Sequence, residues 1–311
     1  MRVISAAEVQ AALDFETLVG RLRDVFRRDV QAPLRQQYDI PISGEPDQSL
    51  LLMPAWQAGR YVGVKIVTVT PGNGPRGLPA VMGAYLLIDG RNGSPSALID
   101  GPMLTLRRTA AASALASAYL SRPDSARLLM VGTGALAPHL VAAHAAVRPI
   151  RDVLIWGRTP AKAQRLAKSI KLKPVRIEAT EDLEGAVRGA DIVSCATLSS
   201  EPLVQGAWLS DGQHLDLVGA FRPDMRETDA EVFRRARIFV DTREGALAEG
   251  GDLVQAIQAG ALEPEDVAAD LFELTRGERA GRRFYDQITL FKSTGSALED
   301  LAAAQLTVER V

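Results

Sequence analysis

A glycine-rich turn between an apolar segment and a predicted helix carries the clearest chemical signal in the sequence. Residues 127–139 contain the spacing Gly132-x-Gly134-x-x-Ala137, and a second apolar segment follows at 152–156 after one helix length. The first glycine of this pattern permits a tight turn, the second leaves room for a pyrophosphate, and the small third residue lets the helix pack on the strand. The helix N-terminus offers N–H groups to the phosphates. The residues expected to bind a dinucleotide are Gly132, Thr133, Gly134, Ala135 and Leu136.

The residues after the second predicted strand indicate which dinucleotide binds. NAD-preferring sites usually carry Asp or Glu about twenty residues after the glycines, where the carboxylate holds the ribose hydroxyls. This chain has no acid there and reads Trp156-Gly-Arg-Thr-Pro-Ala-Lys162. Arg158 and Thr159 are suited to a 2′-phosphate, with Lys162 in the next helical turn, although a solvated basic loop would read the same way. We therefore expect NADPH as the cofactor, with NADH possible but weaker.

Lysine and arginine side chains supply candidates for substrate binding. The predicted strand 61–69 is apolar on both faces except at Lys65, so this ammonium is expected to be partly buried. A buried ammonium needs a partner or a ligand, which leaves both a structural ion pair and a catalytic role open. Arg107 and Arg108 open the predicted helix 103–120, and periodicity does not decide which of them points inward. An inward arginine can hold a carboxylate through two parallel hydrogen bonds, whereas two solvated charges are the alternative.

Other candidates follow predicted strands, because ligands of open α/β sheets gather at the carboxyl ends of the strands. Cys195 ends one such strand, and without a nearby histidine it is expected to be a core residue rather than a nucleophile. The residues expected to contact the cofactor are Thr197, Val218, Gly219, Phe221 and Ser293, and Thr294 is expected to contact the substrate.

Composition excludes several classes of protein. The chain has 311 residues, 47% of them hydrophobic, with a formal net charge of −2, which argues against a nucleic-acid partner. Its single cysteine excludes an internal disulfide and fits a reducing cytoplasm. The three histidines lack the spacing of metal ligands, so no metal is expected. We also expect no membrane partner, since no apolar run is long enough to span a bilayer and the N-terminus lacks a signal-peptide core.

The order of predicted elements indicates an α/β protein. Strands and helices alternate from about residue 121 to 291, which predicts a parallel sheet covered on both faces. A helix is expected from Ala6 to about Val30, and residues 293–311 have helical apolar spacing. The strands expected before the glycine turn, without long helices between them, are 36–42, 49–55, 61–69, 80–88 and 96–100. Those expected from the turn onward are 127–131, 152–156, 174–177, 191–195, 213–218, 237–240 and 286–290.

With these pieces in order, the chain resembles the ornithine cyclodeaminase/μ-crystallin family over nearly its full length. The matching motifs are the Lys65 strand, Pro71-Gly-Asn73, Gly77-Leu-Pro79, Thr105-Leu-Arg-Arg-Thr-Ala-Ala111, the glycine turn and Phe291-Lys-Ser-x-Gly295. The resemblance implies a homodimer and a Rossmann domain, residues 121–291, inserted into a discontinuous β-rich α+β domain. That second domain, residues 1–120 plus 292–311, would bind substrate and form the dimer. The family's carboxylate-binding arginine matches Arg108, its second substrate arginine matches Arg35, and its active-site lysine matches Lys65.

One departure from the family pattern changes the expected reaction. Cyclodeaminases carry an aspartate two residues after the glycine that ends the fifth strand, where this chain has Phe221. A phenyl ring neither accepts a proton nor holds an ammonium. The segment Phe221-Arg-Pro-Asp-Met-Arg-Glu227 looks like that of members that reduce cyclic ketimino acids.

The resemblance and this departure together predict an NADPH-dependent imine reductase. Its substrates would be small cyclic imino acids, with Δ1-pyrroline-2-carboxylate giving proline and Δ1-piperideine-2-carboxylate giving pipecolate. Lys65 and Arg108 would act at the catalytic centre. The enzyme alternatives are an ornithine or lysine cyclodeaminase with bound NAD, or an alanine dehydrogenase. The non-enzyme alternative is a crystallin-like protein that binds NADPH and a small ligand without turnover.

Overall fold

The computed structural model describes residues 1–73 and 75–311, which form two compact units. Unit 1 comprises Met1–Thr109 and Ser296–Val311, and unit 2 comprises Ala110–Gly295. The strands are β1 (Arg2–Ile4), β2 (Gln36–Ile40), β3 (Gln48–Gln57), β4 (Tyr61–Val69), β5 (Val81–Asp89), β6 (Pro95–Asp100), β7 (Arg127–Val131), β8 (Asp152–Trp156), β9 (Arg176–Ala179), β10 (Ile192–Cys195), β11 (His214–Leu217), β12 (Arg237–Val240), β13 (Val267–Asp270) and β14 (Thr289–Lys292). The helices are α1 (Ala6–Ala12), α2 (Phe15–Phe26), α3 (Gly101–Leu120), α4 (Ala137–Val147), α5 (Pro160–Ser169), α6 (Leu183–Gly189), α7 (Ala230–Arg235), α8 (Arg243–Glu249), α9 (Gly251–Gln258), α10 (Leu271–Arg276) and α11 (Ala297–Arg310).

Unit 1 is built on a mixed sheet in the order β1-β6-β5-β4-β3-β2, in which only the β1–β6 pair is parallel among the described strands. Helix α11 packs against β3, β4 and β5, and α2 packs against α11. Alternation along the strands sends one set of side chains, such as Met53, Lys65 and Tyr85, to this helix-covered face, where they are buried. The C-terminal helix therefore belongs to the same unit as the N-terminal sheet.

Unit 2 contains a parallel sheet in the order β13-β12-β14-β11-β10-β7-β8-β9. The chain runs from β7 outward to β8 and β9, then crosses back to β10 on the other side of β7. This reversal creates the crevice in which open α/β sheets bind their ligands, at the carboxyl ends of the strands. Strands β10, β11 and β14 are buried at every position, as expected for a sheet covered on both faces. The predicted α/β class, with a Rossmann-type sheet and a separate mixed sheet, is confirmed.

Several predicted element bounds were wrong. The single helix expected from Ala6 to Val30 is divided into α1 and α2, because the Asp14 side chain accepts a hydrogen bond from the Thr17 backbone N–H and starts a new helix. Strand β9 begins at Arg176 rather than 174, beyond Pro174, which has no N–H for a sheet ladder. The strand expected at 286–290 is β14, which lies closer to the C-terminus. It includes Lys292, a charged residue that is nevertheless buried in the strand.

Other features of the fold were not anticipated. Strands β1 and β13 were missed, since β1 has only three residues and β13 reads Val-Ala-Ala-Asp, with one β-branched residue and no aromatic one. Helix α3 spans the boundary between the two units, which lies at Thr109/Ala110. The assignment of substrate binding and dimerisation to residues 1–120 plus 292–311, and of cofactor binding to 121–291, stays a prediction.

The described residues include neither a membrane-spanning helix nor a cluster of metal-binding side chains. None of their helices combines the length and the apolar character needed to cross a membrane. Within the same part of the chain, no three His, Cys, Asp or Glu side chains are grouped so that they could hold a metal ion.

Candidate active site

The glycine turn has the geometry of an anion site. Gly132 follows β7 with φ of +125°, and a Cβ there would lie 2.5 Å from the carbonyl oxygen of Ala196. A Cβ on Gly134 would meet no described atom within 4 Å, so the surface above this residue is open. Helix α4 begins at Ala137, and the cap residue Leu136 makes no side-chain hydrogen bond to its first turn. The open glycine, next to the N-terminal end of the α4 dipole, therefore fits the pyrophosphate of a dinucleotide.

The basic residues expected to select NADPH stand together at the carboxyl end of β8. Arg158, Thr159 and Lys162 are all exposed at the start of α5. A Cβ on Gly157 would lie 2.7 Å from Thr133 Cγ2, so glycine lets this loop approach the glycine turn. These three side chains could bind a 2′-phosphate without breaking an ion pair among the described residues.

The strand-end residues of unit 2 fall into exposed and buried sets. Phe221 is 42% exposed on the loop after β11, whereas Val218 and Gly219, which precede it, are buried. Thr197, after β10, is half-buried, and both its backbone N–H and its hydroxyl donate to Glu227 Oε1 at 2.7 and 2.8 Å. Cys195 is a buried free thiol, and burial raises its pKa well above the ordinary value.

The segment after β14 is organised by an aspartate that sequence reasoning missed. Ser293 and Thr294 are both buried. Asp241 Oδ2 accepts hydrogen bonds from Ser293 Oγ at 3.2 Å, from Thr294 N at 2.7 Å and from Gly295 N at 2.6 Å. Asp241 directly follows β12, so two neighbouring strand ends are tied together at the carboxyl edge of the sheet. Contacts of Ser293 with cofactor and of Thr294 with substrate stay predictions.

In unit 1, buried charged side chains from three elements meet. Lys65, on β4, places its Nζ 2.7 Å from Asp300 Oδ2 on α11. Arg108, on α3, donates from Nε to Asp300 Oδ1 at 2.9 Å and from a terminal nitrogen to Glu299 Oε2 at 2.7 Å. All four residues are at most 5% exposed. Asp300 thus joins the lysine and the arginine that the sequence singled out separately, and we call these four residues the charged cluster.

Burial and neighbouring charges shift the pKa of the lysine in the charged cluster. Burial, followed by the positive charge of Arg108, lowers the pKa of Lys65 from 10.5 to about 8. The positive charge of Arg35, which is half-buried, acts in the same direction. Within the charged cluster, Lys65 and Arg108 are matched by the carboxylates of Glu299 and Asp300.

Arg107 and Arg108 are separated by what they contact. Arg107 donates from Nε to the Leu13 carbonyl oxygen at 2.8 Å, and its guanidinium lies 3.7 Å from the ring centroid of Phe15. Arg107 therefore anchors the junction between α1 and α2, while Arg108 belongs to the charged cluster. Periodicity could not separate them, because both are buried.

Sequence reasoning missed the acidic residues of both units. Glu299 and Asp300 lie between Leu298 and Leu301, all fully or almost fully buried on α11. In the sequence they fall between the apolar positions of the helical pattern, where charges are ordinary, so their burial gave no signal. Glu227, in turn, gave no signal beyond its place in the segment 221–227.

The chain is similar in sequence to known proteins along nearly its whole length. The profile of the ornithine cyclodeaminase/mu-crystallin family matches residues 1–311. The chain is 42% identical to a Delta(1)-pyrroline-2-carboxylate reductase of Paracoccus denitrificans, over 94% of each chain.

Solved structures agree with this similarity. A Delta(1)-pyrroline-2-carboxylate reductase of Thermococcus litoralis, in complex with NADH and L-proline, matches with a TM-score of 0.93 at 32% identity, covering 100% of this chain and 97% of the other. An archaeal alanine dehydrogenase dimer with bound NAD matches with a TM-score of 0.90 at 29% identity, covering 100% and 95%. The chain belongs to the ornithine cyclodeaminase/mu-crystallin family.

Proposed function

We propose that this protein is an NADPH-dependent reductase of cyclic ketimino acids that converts Δ1-pyrroline-2-carboxylate to proline and Δ1-piperideine-2-carboxylate to pipecolate. The observation that carries the proposal is the charged cluster, which joins Lys65 to Arg108 through Asp300 and holds both cations in one buried arrangement. The relatives with the same reaction in their names support it. Bound NADPH would supply hydride to the carbon of the C=N bond.

The residues of the cluster divide the work by their chemistry. Glu299 and Asp300 accept hydrogen bonds from two nitrogens of Arg108 and so hold its guanidinium, a group suited to binding carboxylates, in a fixed orientation. Arg35 adds a second positive charge for the same carboxylate. Lys65 keeps its proton at neutral pH and can donate it, or a hydrogen bond, to the substrate. With its carboxylate fixed and Lys65 nearby as an acid, the substrate would be held as an electrophilic, protonated imine with one face presented for reduction.

The pH profile of catalysis provides a test of Lys65. Because its pKa is lowered from 10.5 to about 8, the ammonium is present below pH 8 and is lost above it. We expect kcat/KM for the ketimine to fall about tenfold per pH unit above roughly pH 8. The comparison is Lys65→Arg, whose guanidinium stays charged. Any activity that this variant retains should not fall above pH 8. If kcat/KM falls above pH 8 in both proteins, the titrating group belongs to the substrate instead.

The exposed basic group after β8 makes a separate prediction about the cofactor. Arg158→Asp places a carboxylate where a 2′-phosphate would bind and offers NADH a hydroxyl acceptor. We expect the preference for NADPH over NADH to fall about ten- to a hundredfold, or about 1.4–3 kcal/mol. Arg151→Asp, at the opposite end of β8, is the matched control and should leave the ratio unchanged. An unaltered ratio in Arg158→Asp would remove Arg158 from the cofactor site.

A homodimer is proposed from the face of the unit 1 sheet opposite α11. This face is apolar across four strands, with Trp56 37% and Ile66 40% exposed. Register brings the following residues to it: Leu52, Pro54, Trp56, Val62, Val64, Ile66, Ala84, Leu86, Ile88 and Leu98. Contiguous apolar surface of this kind usually marks an interface, and the structural relative named as a dimer supports this reading. Sedimentation of a monomer at micromolar concentration would contradict it.

Two other activities are named among structural relatives with the same fold. A cyclodeaminase would convert ornithine to proline and ammonia, and an alanine dehydrogenase would consume pyruvate, ammonia and NADH. Phe221 favours neither, because its ring provides no group to act on a substrate amine. Product analysis with each substrate separates the three reactions. For the compartment, the buried free Cys195 fits the expected reducing cytoplasm.

A further inference from the structure

A buried acidic group in unit 2 has no part in the chemistry above, yet it holds the strand ends beside the glycine turn. Glu227, Asp252 and Lys292 are each at most 2% exposed, and we call them the acidic clamp. Two carboxylates and one ammonium in a protein interior are costly unless every charge is paired. Their partners therefore indicate what the clamp does.

The carboxylate of Glu227 accepts three hydrogen bonds from two loops. Oε1 accepts from the backbone N–H and the hydroxyl of Thr197, at 2.7 and 2.8 Å. Oε2 accepts from the backbone N–H of Gly219 at 2.7 Å. Thr197 follows β10 and Gly219 follows β11, so one side chain fixes the carboxyl ends of two adjacent strands.

The rest of the clamp fixes Glu227 itself. Asp252 Oδ1, on α9, accepts from the backbone N–H of Glu227 at 2.7 Å and from that of Thr228 at 3.2 Å. Lys292 Nζ donates to Asp252 Oδ2 at 3.1 Å. Burial raises the pKa of Glu227 to about 7, with Lys292 opposing this shift and Asp252 adding to it.

Of the two loops held by Glu227, the Thr197 loop packs against the glycine turn and the Gly219 loop packs against Thr197. A Cβ on Gly132 would lie 3.3 Å from Thr197 Cγ2. A Cβ on Gly219 would lie 2.1 Å from the Thr197 carbonyl oxygen and 2.4 Å from Glu227 Oε1. These contacts leave little freedom for the loops while Glu227 is in place, and a displaced Thr197 would also disturb the turn.

Sheet order indicates which half of a dinucleotide these loops would face. Arg158 follows β8 on one side of β7, whereas Thr197 and Gly219 follow β10 and β11 on the other side. A dinucleotide binds across this reversal with one nucleotide on each side. With the 2′-phosphate beside Arg158, the nicotinamide half falls to the β10–β11 side.

We propose that Glu227 is a positioning residue for the nicotinamide half of the cofactor, acting through Thr197 and Gly219 without touching the cofactor. This inference rests on the proposed use of NADPH. It predicts a loss of affinity that depends on the nicotinamide half, which a general loss of stability would not produce.

The test compares two probes on each protein. NADPH spans both halves of the site, and adenosine 2′,5′-bisphosphate fills only the adenine half. Glu227→Gln keeps the shape but turns an amide N–H toward donors, so we expect the Kd for NADPH to rise about tenfold or more. The Kd for adenosine 2′,5′-bisphosphate should stay within about twofold.

The matched control is a carboxylate at the opposite edge of the same sheet. Asp191 accepts from the backbone N–H groups of Ala126 and Arg127 at 2.8 and 2.9 Å, just before β10 begins. Asp191→Asn should lower the melting temperature as Glu227→Gln does, yet leave both Kd values unchanged. If Glu227→Gln does not fold, Glu227→Asp keeps the charge while shortening its reach, and the same pattern is expected.

The outcomes separate this inference from the proposed function. An unchanged Kd for NADPH in the Glu227 variant, or an equal loss for both probes, would overturn the inference and leave the reductase proposal intact. Wild-type protein that binds neither NADPH nor NADH would overturn both.

Discussion

Replacing Lys65 by methionine is expected to lower kcat for ketimine reduction by about 10²- to 10⁴-fold. Methionine matches the lysine stem and removes the charge, so the proton or hydrogen bond at the imine is lost. Asp300 would lose one of its two cationic partners but keep Arg108 at 2.9 Å. We therefore expect the free energy of unfolding to fall by no more than about 3–5 kcal/mol, the cost of breaking a buried pair outright.

The control for this variant is Tyr85→Phe on the neighbouring strand. Tyr85 stands opposite Lys65 in the β4–β5 register and is fully buried, and its hydroxyl makes no hydrogen bond within the described chain. Its loss should leave both stability and turnover near wild type. Kinetics and a melting scan on both variants separate a catalytic lysine from a structural one, and full activity in Lys65→Met would exclude Lys65 from the reaction.

Replacing Arg108 by lysine should raise KM for the ketimine about ten- to a hundredfold. The charge survives, but the fork that matches a carboxylate is lost, which removes a charge-assisted hydrogen bond of about 1.5–3 kcal/mol. Stability should also fall, since Glu299 and Asp300 each lose a bond to the guanidinium.

The adjacent arginine provides a matched comparison. Arg107 is as deeply buried but bonds the Leu13 carbonyl oxygen, so Arg107→Lys should cost stability without changing KM. Calorimetric unfolding together with steady-state kinetics measures both quantities. Equal KM changes in the two variants would mean that the change in Arg108→Lys arises from altered packing of α3 rather than from a lost contact with a substrate carboxylate.

The fold could be predicted well because its signals are local or periodic. The glycine turn, the alternation of strands and helices and the apolar spacing of the last helix all appear within short windows of sequence. The break at Asp14 and the short strands β1 and β13 could not be found this way. A cap competes with continuing periodicity, and a three-residue strand is defined only by its partner.

The candidate site was only half visible in the sequence. Lys65 and Arg108 stood out as charges in apolar surroundings, but Asp300, which joins them, is 192 residues from Arg108. The same applies to Glu227 and Thr197, 30 residues apart, whose hydrogen bonds arise only when two strand ends meet. Carboxylates that hold other residues in place are therefore found from contacts rather than from spacing.

The measurement that tests the central claim most directly is incubation of the purified protein with NADPH and Δ1-pyrroline-2-carboxylate. Absorbance at the nicotinamide band should fall, and chiral analysis should identify proline in equal amount to the NADPH consumed. Δ1-Piperideine-2-carboxylate should react as well, because one ring methylene is worth only about 1–3 kcal/mol in an apolar pocket. Absence of absorbance loss with both ketimines, while ornithine yields proline and ammonia, would contradict the reductase and favour a cyclodeaminase.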